Sequence, residues 1–103
     1  MVLTEAAMYA EADLQQAHKH SIYHRNEVLT SEWCGCFHCR CVFSPSEITE
    51  WVDQDSTGTG TTALCPRCGI DSVIGSIAGF SLSPDFLNEM HDRWFERITT
   101  PKR

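Results

Sequence analysis

Two knots of cysteine constrain this chain more than any other feature. Residues 34–41 read CGCFHCRC and residues 65–69 read CPRCG, so all six cysteines fall in two short stretches. They contain two Cys-x-x-Cys units, Cys36 with Cys39 and Cys65 with Cys68, separated by 25 residues. Zinc binds four soft ligands at the corners of a tetrahedron, with sulfur at about 2.3 Å. One Cys-x-x-Cys turn supplies two corners, because a tight turn brings both sulfurs to one side. The backbone N–H groups of such a turn point back at the thiolates and offset their charge. Gly69 permits the positive φ that lets the chain turn under a metal, and Pro66 stiffens the same turn. Cys36, Cys39, Cys65 and Cys68 are therefore the expected metal ligands. Cys34 and Cys41 are surplus, and CGCFHCRC allows other pairings in which either replaces a chosen ligand. His38 lies inside the first unit and is expected to point outward. His18, His20 and His24 invite a second metal but lack a third and fourth ligand.

Compartment decides between metal and disulfides. The start, MVLTEAAMYAEADLQQ, has no basic beginning, apolar core or small-residue cleavage pattern, so a secretory signal is not expected. No apolar run reaches the length of a membrane span. A reducing cytoplasm is the expected location, and there paired Cys-x-x-Cys units favour metal over structural disulfides.

A chain of 103 residues fits one domain, small enough to gain from a metal staple. Its formal net charge is −6, and four thiolates with one divalent cation add about −2 more. That opposes non-specific attraction to nucleic acid, which rests on neutralising phosphates. Arg25, Arg40 and Arg67 are the cations that could form a local basic patch. Between Cys41 and Pro66 the only charges are Glu47, Glu50, Asp53 and Asp55. They suit either a solvated face or a surface for a basic protein partner.

The expected organisation is a single α+β domain. Residues 1–25 form an N-terminal helical segment, with Thr4 as N-cap and Leu3, Ala7, Ala10, Leu14 and Ala17 along one stripe. Residues 33–80 form the metal core. Within it SPSEITEWVD predicts a helix over 45–53, from the Ser44 cap, Pro45 at the first position and Glu47 completing a capping box. DSTGTGTT, residues 55–62, reads as a flexible loop, and TTALC as a strand entering the second cysteine pair. GIDSVIGSIAGFSLS gives one or two short strands, with Ile70, Val73, Ile74 and Ile77 partly buried. A C-terminal helix over 84–98 starts at Ser83-Pro84, carries Phe86, Leu87, Met90, Trp94 and Ile98 on its core face, and stops at Pro101.

With two knuckles, the second of form CPxCG, the chain resembles the zinc-ribbon class. The wider string, CGCFHC, TALCPRCGIDSVIG and FLNEMHDRWF over residues 26–95, also resembles a group of small bacterial cytoplasmic proteins. The resemblance implies one structural zinc per chain and brings no activity. The ligands are similar to those of rubredoxins too, which would imply iron and electron transfer, although Arg40 stands where a glycine would follow the first knuckle. No catalytic residue is expected. Asp71, Ser72 and His91 permit a triad on paper, but no Gly-x-Ser-x-Gly elbow accompanies them. The expected role is protein interaction, one form being an immunity or inhibitor protein that covers a basic toxin. A rubredoxin-like electron carrier and a nucleic-acid-binding ribbon are the alternatives.

Overall fold

The computed structural model describes residues 9–96, and for Glu96 the backbone alone. The expected Thr4 cap, the stripe positions Leu3 and Ala7, Ile98 and the Pro101 stop lie outside the described residues. The elements run α1 (Glu11–Lys19), α2 (Arg25–Leu29), β1 (Cys34–Cys36), β2 (Val42–Phe43), β3 (Trp51–Gln54), β4 (Gly60–Ala63), β5 (Val73–Gly75) and α3 (Pro84–His91). The class is α+β, as expected.

The strands form two antiparallel sheets. One has the order β2-β1-β5, and the other is the β3-β4 hairpin. The three-stranded sheet separates two cores because side chains alternate across a strand. Cys34, Cys36, Phe43 and Val73 face a core completed by Val28, Ile48, Ala63 and Cys65. Ile74 faces the other, with Leu14, Ala17, Phe37, Phe86, Leu87 and Met90. Gly35 looks the same way as Ile74, and a Cβ there would already touch Leu87 at 3.3 Å. The missing side chain is what lets α3 pack this close to β1. The α3 stripe is core as expected: Phe86, Leu87 and Met90 are buried, and Ser83 Oγ caps the helix by accepting from Phe86 N–H. After His91 the helix widens into a π turn over Asp92–Glu96.

The expected helix over 45–53 is corrected. The capping box does form, with Ser44 and Glu47 bonding each other's backbone, but it starts only a single 3-10 turn, Pro45–Glu47. At Ile48 the backbone becomes extended, and Trp51 and Val52 then pair with Ala63 and Thr62 as strand β3. A capping box signals where a helix begins and carries no information on its length. Ile48, Thr49, Trp51 and Val52 are β-branched or aromatic and favour a strand. The loop expected over 55–62 is likewise shorter and more ordered. Asp55 Oδ1 accepts from Thr57 N–H and Thr59 N–H, and β4 has begun by Gly60. Ile77, expected to be partly buried, is exposed.

Residues 21–33, which suit a strand or a helix by composition, contain the short helix α2 and close an edge of the hairpin. His24 N–H donates to Thr61 O, Tyr23 N–H to Thr62 Oγ1, and Arg25 Nη1–H to Gly60 O. Ala63 N–H donates in turn to His24 Nε2 at 3.0 Å. The β4 edge is thus satisfied by the chain entering α2.

Candidate metal centre

The four expected ligands converge. Cys36 and Cys39 come from the turn between β1 and β2, and Cys65 and Cys68 from the turn between β4 and β5. Their sulfurs all lie within 4.8 Å of one another. Cys36 Sγ is 3.7 Å from Cys68 Sγ, and Cys39 Sγ is 3.7 Å from Cys65 Sγ. A sulfur–metal length of about 2.3 Å sets a tetrahedron edge of about 3.8 Å, which those two edges match. A disulfide needs about 2.05 Å, and none of the six cysteines forms one. The donor set and spacing fit a cation held by four thiolates, either zinc or iron.

The two knuckles are near copies of each other. Cys36 N–H donates to Cys41 O and Cys65 N–H to Ile70 O, both at 3.0 Å. Arg40 N–H donates to Cys36 O, and Gly69 N–H to Cys65 O. Within each turn a backbone N–H reaches the first sulfur, His38 to Cys36 and Arg67 to Cys65. The second sulfurs accept from Cys41 and Ile70. The residue after each second cysteine has positive φ, +66° at Arg40 and +81° at Gly69. Arg40 therefore takes the conformation a glycine would take, although it carries a side chain.

Burial resists ionisation at two of the four thiols. Burial pushes the Cys39 thiol well above its usual range and Cys68 up to about 11. At Cys65 burial works in the same direction, but the N–H groups of Arg67 and Cys68 and the thiols of Cys39 and Cys36 outweigh it and hold that thiol low. A bound divalent cation takes all four as thiolates and releases protons. Cys34 is fully buried and its thiol is pushed up to about 12 by desolvation. Cys34 and Cys41 pack in the surrounding core, outside the four-sulfur cluster.

Ser72 is a member of the site that sequence reasoning missed. Its side chain is buried, and its Oγ lies 3.3 Å from Cys36 Sγ. On paper it belonged with Asp71 and His91. In the structure Asp71 is exposed, while the His91 ring packs on Phe95, 5.7 Å between centroids. No local spacing signals the Ser72 contact, because β5 brings it beside β1. His38 stays outside the four-sulfur cluster, as expected of a residue that does not ligate, but it is half-buried rather than turned outward. Its ring packs edge-on against Phe95, and its Nδ1 is buried. The three histidines considered for a second metal are used separately. His18 stacks on Trp94, His20 pairs with Glu27, and His24 holds the β4 edge. Two of the three arginines of the possible basic patch are engaged: Arg25 lies over the Trp51 ring, and Arg67 pairs with Glu47 at 3.0 Å.

No family model, curated protein or solved structure matches this chain. The four-cysteine cluster is compatible with a zinc-ribbon-like site. Among the described residues, no helix is long and apolar enough to cross a membrane.

Proposed function

We propose that the protein is a structural zinc module that works by binding another protein. The observation that carries the metal assignment is the tetrahedral spacing of Cys36, Cys39, Cys65 and Cys68. Four thiolates fill the coordination sphere of zinc and leave no open position for water or substrate. Such a cation stabilises the fold without taking part in chemistry, and structural zinc is worth about 10–16 kcal/mol apparent. It cross-links the β1–β2 and β4–β5 turns of a domain whose two cores are both small.

The partner in this reading is basic. Glu50, Asp53 and Asp55 are exposed just before, on and just after β3, while Glu47 is already paired with Arg67. An immunity or inhibitor protein covering a cationic toxin would use such a face, since complementary charge speeds encounter and selects partners. The test is capture of a basic protein by the zinc-loaded chain, repeated with Glu50→Lys and Asp53→Asn. Salt-sensitive binding that both substitutions weaken supports the reading, and binding indifferent to salt and to both substitutions overturns it.

Electron transfer by iron is the second reading. The N–H···S bonds in both knuckles suit it as well as they suit zinc, because hydrogen bonds to sulfur tune iron potentials. Iron held by four thiolates is coloured and zinc is not, so a visible spectrum separates the two.

A further inference from the structure

A cavity of about 270 Å³ opens beside the metal centre. Asp71 and Ser72 reach it from the stretch between the second knuckle and β5, and His18 and Ser21 from the end of α1. Phe37, inside the first knuckle, and Trp94, in the π turn, give it an aromatic wall. No lysine or arginine lines it.

The hydrogen-bond roles in this lining are lopsided. Ser21 Oγ–H is committed to His18 O at 2.7 Å. Ser72 Oγ lies 3.3 Å from Cys36 Sγ, and a metal-bound thiolate has no proton to give, so the hydroxyl is the donor. Both oxygens are left with lone pairs. Asp71 is exposed, and among the described residues its carboxylate has neither a hydrogen bond nor an ion pair. An ionised carboxylate only accepts. Burial, and after it Arg93, lower the His18 pKa, so that ring is neutral near pH 7. The Trp94 indole nitrogen is buried away from solvent.

Charge points the same way. Four thiolates with a divalent cation carry about −2, and the Ser72 contact sets that charge next to the cavity. Arg93 lies over the Trp94 ring at 4.2 Å, but it is paired with Glu11 at 2.7 Å. Aromatic faces attract cations. An anion would meet a like charge and oxygens without free donors. A hard ion such as calcium takes six to eight oxygens, more than these side chains supply.

We propose that the cavity binds a primary alkylammonium group, with Asp71 as counter-ion, Ser21 and Ser72 as further acceptors, and the alkyl chain against Phe37 and Trp94. The three N–H donors of such a group match the three oxygen-bearing side chains. A free amine and a lysine side chain carry the same group, and the test separates them. None of Glu50, Asp53 and Asp55 lines the cavity, so this proposal and the basic-partner reading fail separately.

The test is an NMR titration of the zinc-loaded chain at constant ionic strength with n-butylammonium, and with butanol and butyrate as neutral and anionic matches. A ligand this small binds at a dissociation constant on the order of 1 mM. Butylammonium should shift the amides of Phe37, Asp71 and Ser72 to saturation. Butanol should bind at least about tenfold more weakly, and butyrate should leave these amides in place. Asp71→Asn should weaken butylammonium at least about tenfold with metal content and circular dichroism unchanged. Glu50→Gln removes an equal charge from outside the cavity and should leave binding intact. A lysine blocked at both ends is the second ammonium probe: tighter binding than butylammonium assigns the group to a protein, and weaker binding assigns it to a free amine. Three matched probes that bind alike, or no saturable shift with either ammonium, overturn the proposal on the unaltered chain. Equal weakening by Asp71→Asn and Glu50→Gln overturns it as well, because the attraction would then be the net charge and not the cavity.

Discussion

At the scale of single residues, the four ligands and their neighbours make different demands. Cys65→Ser removes a soft ligand from a tetrahedral set, so it should abolish stoichiometric metal binding and unfold much of the metal core. Cys41→Ser changes a thiol outside the cluster and should keep the metal. Measuring metal per chain in both variants checks the ligand choice, and equal loss would reassign it. Ser72→Ala removes the hydroxyl beside Cys36 Sγ. Groups that support ligands in this way are typically worth 10–100-fold in metal affinity, so competition with a chelator should show a loss of about that size with the fold intact. Arg40 is the opposite case. A side chain at positive φ costs about 1–2 kcal/mol, while glycine loses up to about 1 kcal/mol through greater freedom in the unfolded chain. Arg40→Gly should therefore stabilise by up to about 1 kcal/mol, read as a higher denaturation midpoint. The convergence of the four cysteines was legible because its information is local: each pair sits three residues apart on one turn. Ser72 was not, because its contact depends on β5 returning beside β1.

At the scale of elements, legibility followed how far each element depends on distant pairing. The cap and stripe of α3 lie within a dozen residues and were readable. The 45–53 segment carried a genuine start signal, yet its path after Ile48 is set by residues 60–63 across a hairpin. His24 shows the same dependence. Its Nε2 accepts from Ala63 N–H, so its proton sits on Nδ1, which donates to His20 O at 2.6 Å. Burial is the largest cause lowering its pKa. A histidine pKa lowered in the folded state means the unfolded chain binds protons more readily, so stability rises with pH through this window. The contribution is complete above about 6.5, the unfolded value, and is lost as pH falls through the lowered folded value. Protonation would put a second N–H against Ala63 N–H and open the β4 edge. Acid also releases metal from thiolates, so the informative comparison is with His24→Gln, whose amide oxygen can accept the same bond without titrating. Denaturation midpoints between pH 7.5 and 5.5 should fall less steeply in that variant. Equal slopes would assign the acid sensitivity to the metal centre alone.

At the scale of the whole molecule, the three-stranded sheet is shared by two cores, one built around the cysteines and one around α1 and α3. The fold class was readable from the sequence, since two knuckles flanked by helix-forming segments admit few arrangements. The division into two cores was not, because it depends on which way Gly35 and Ile74 face. Removing the metal should therefore act on the halves unequally. The cysteine core loses its cross-link between β1–β2 and β4–β5, while Leu14, Phe86, Leu87 and Met90 keep their apolar contacts. Hydrogen exchange after chelation should show protection lost across residues 33–75 before it is lost in α3. Uniform loss would show that the two cores unfold as one unit.

One cation per chain held by four thiolates can be measured by metal analysis with mass spectrometry and a visible spectrum. One zinc per chain, no visible absorption, and no metal in Cys65→Ser are expected. A folded chain that carries no stoichiometric metal after purification without chelators, and takes up none when zinc is supplied, would contradict it.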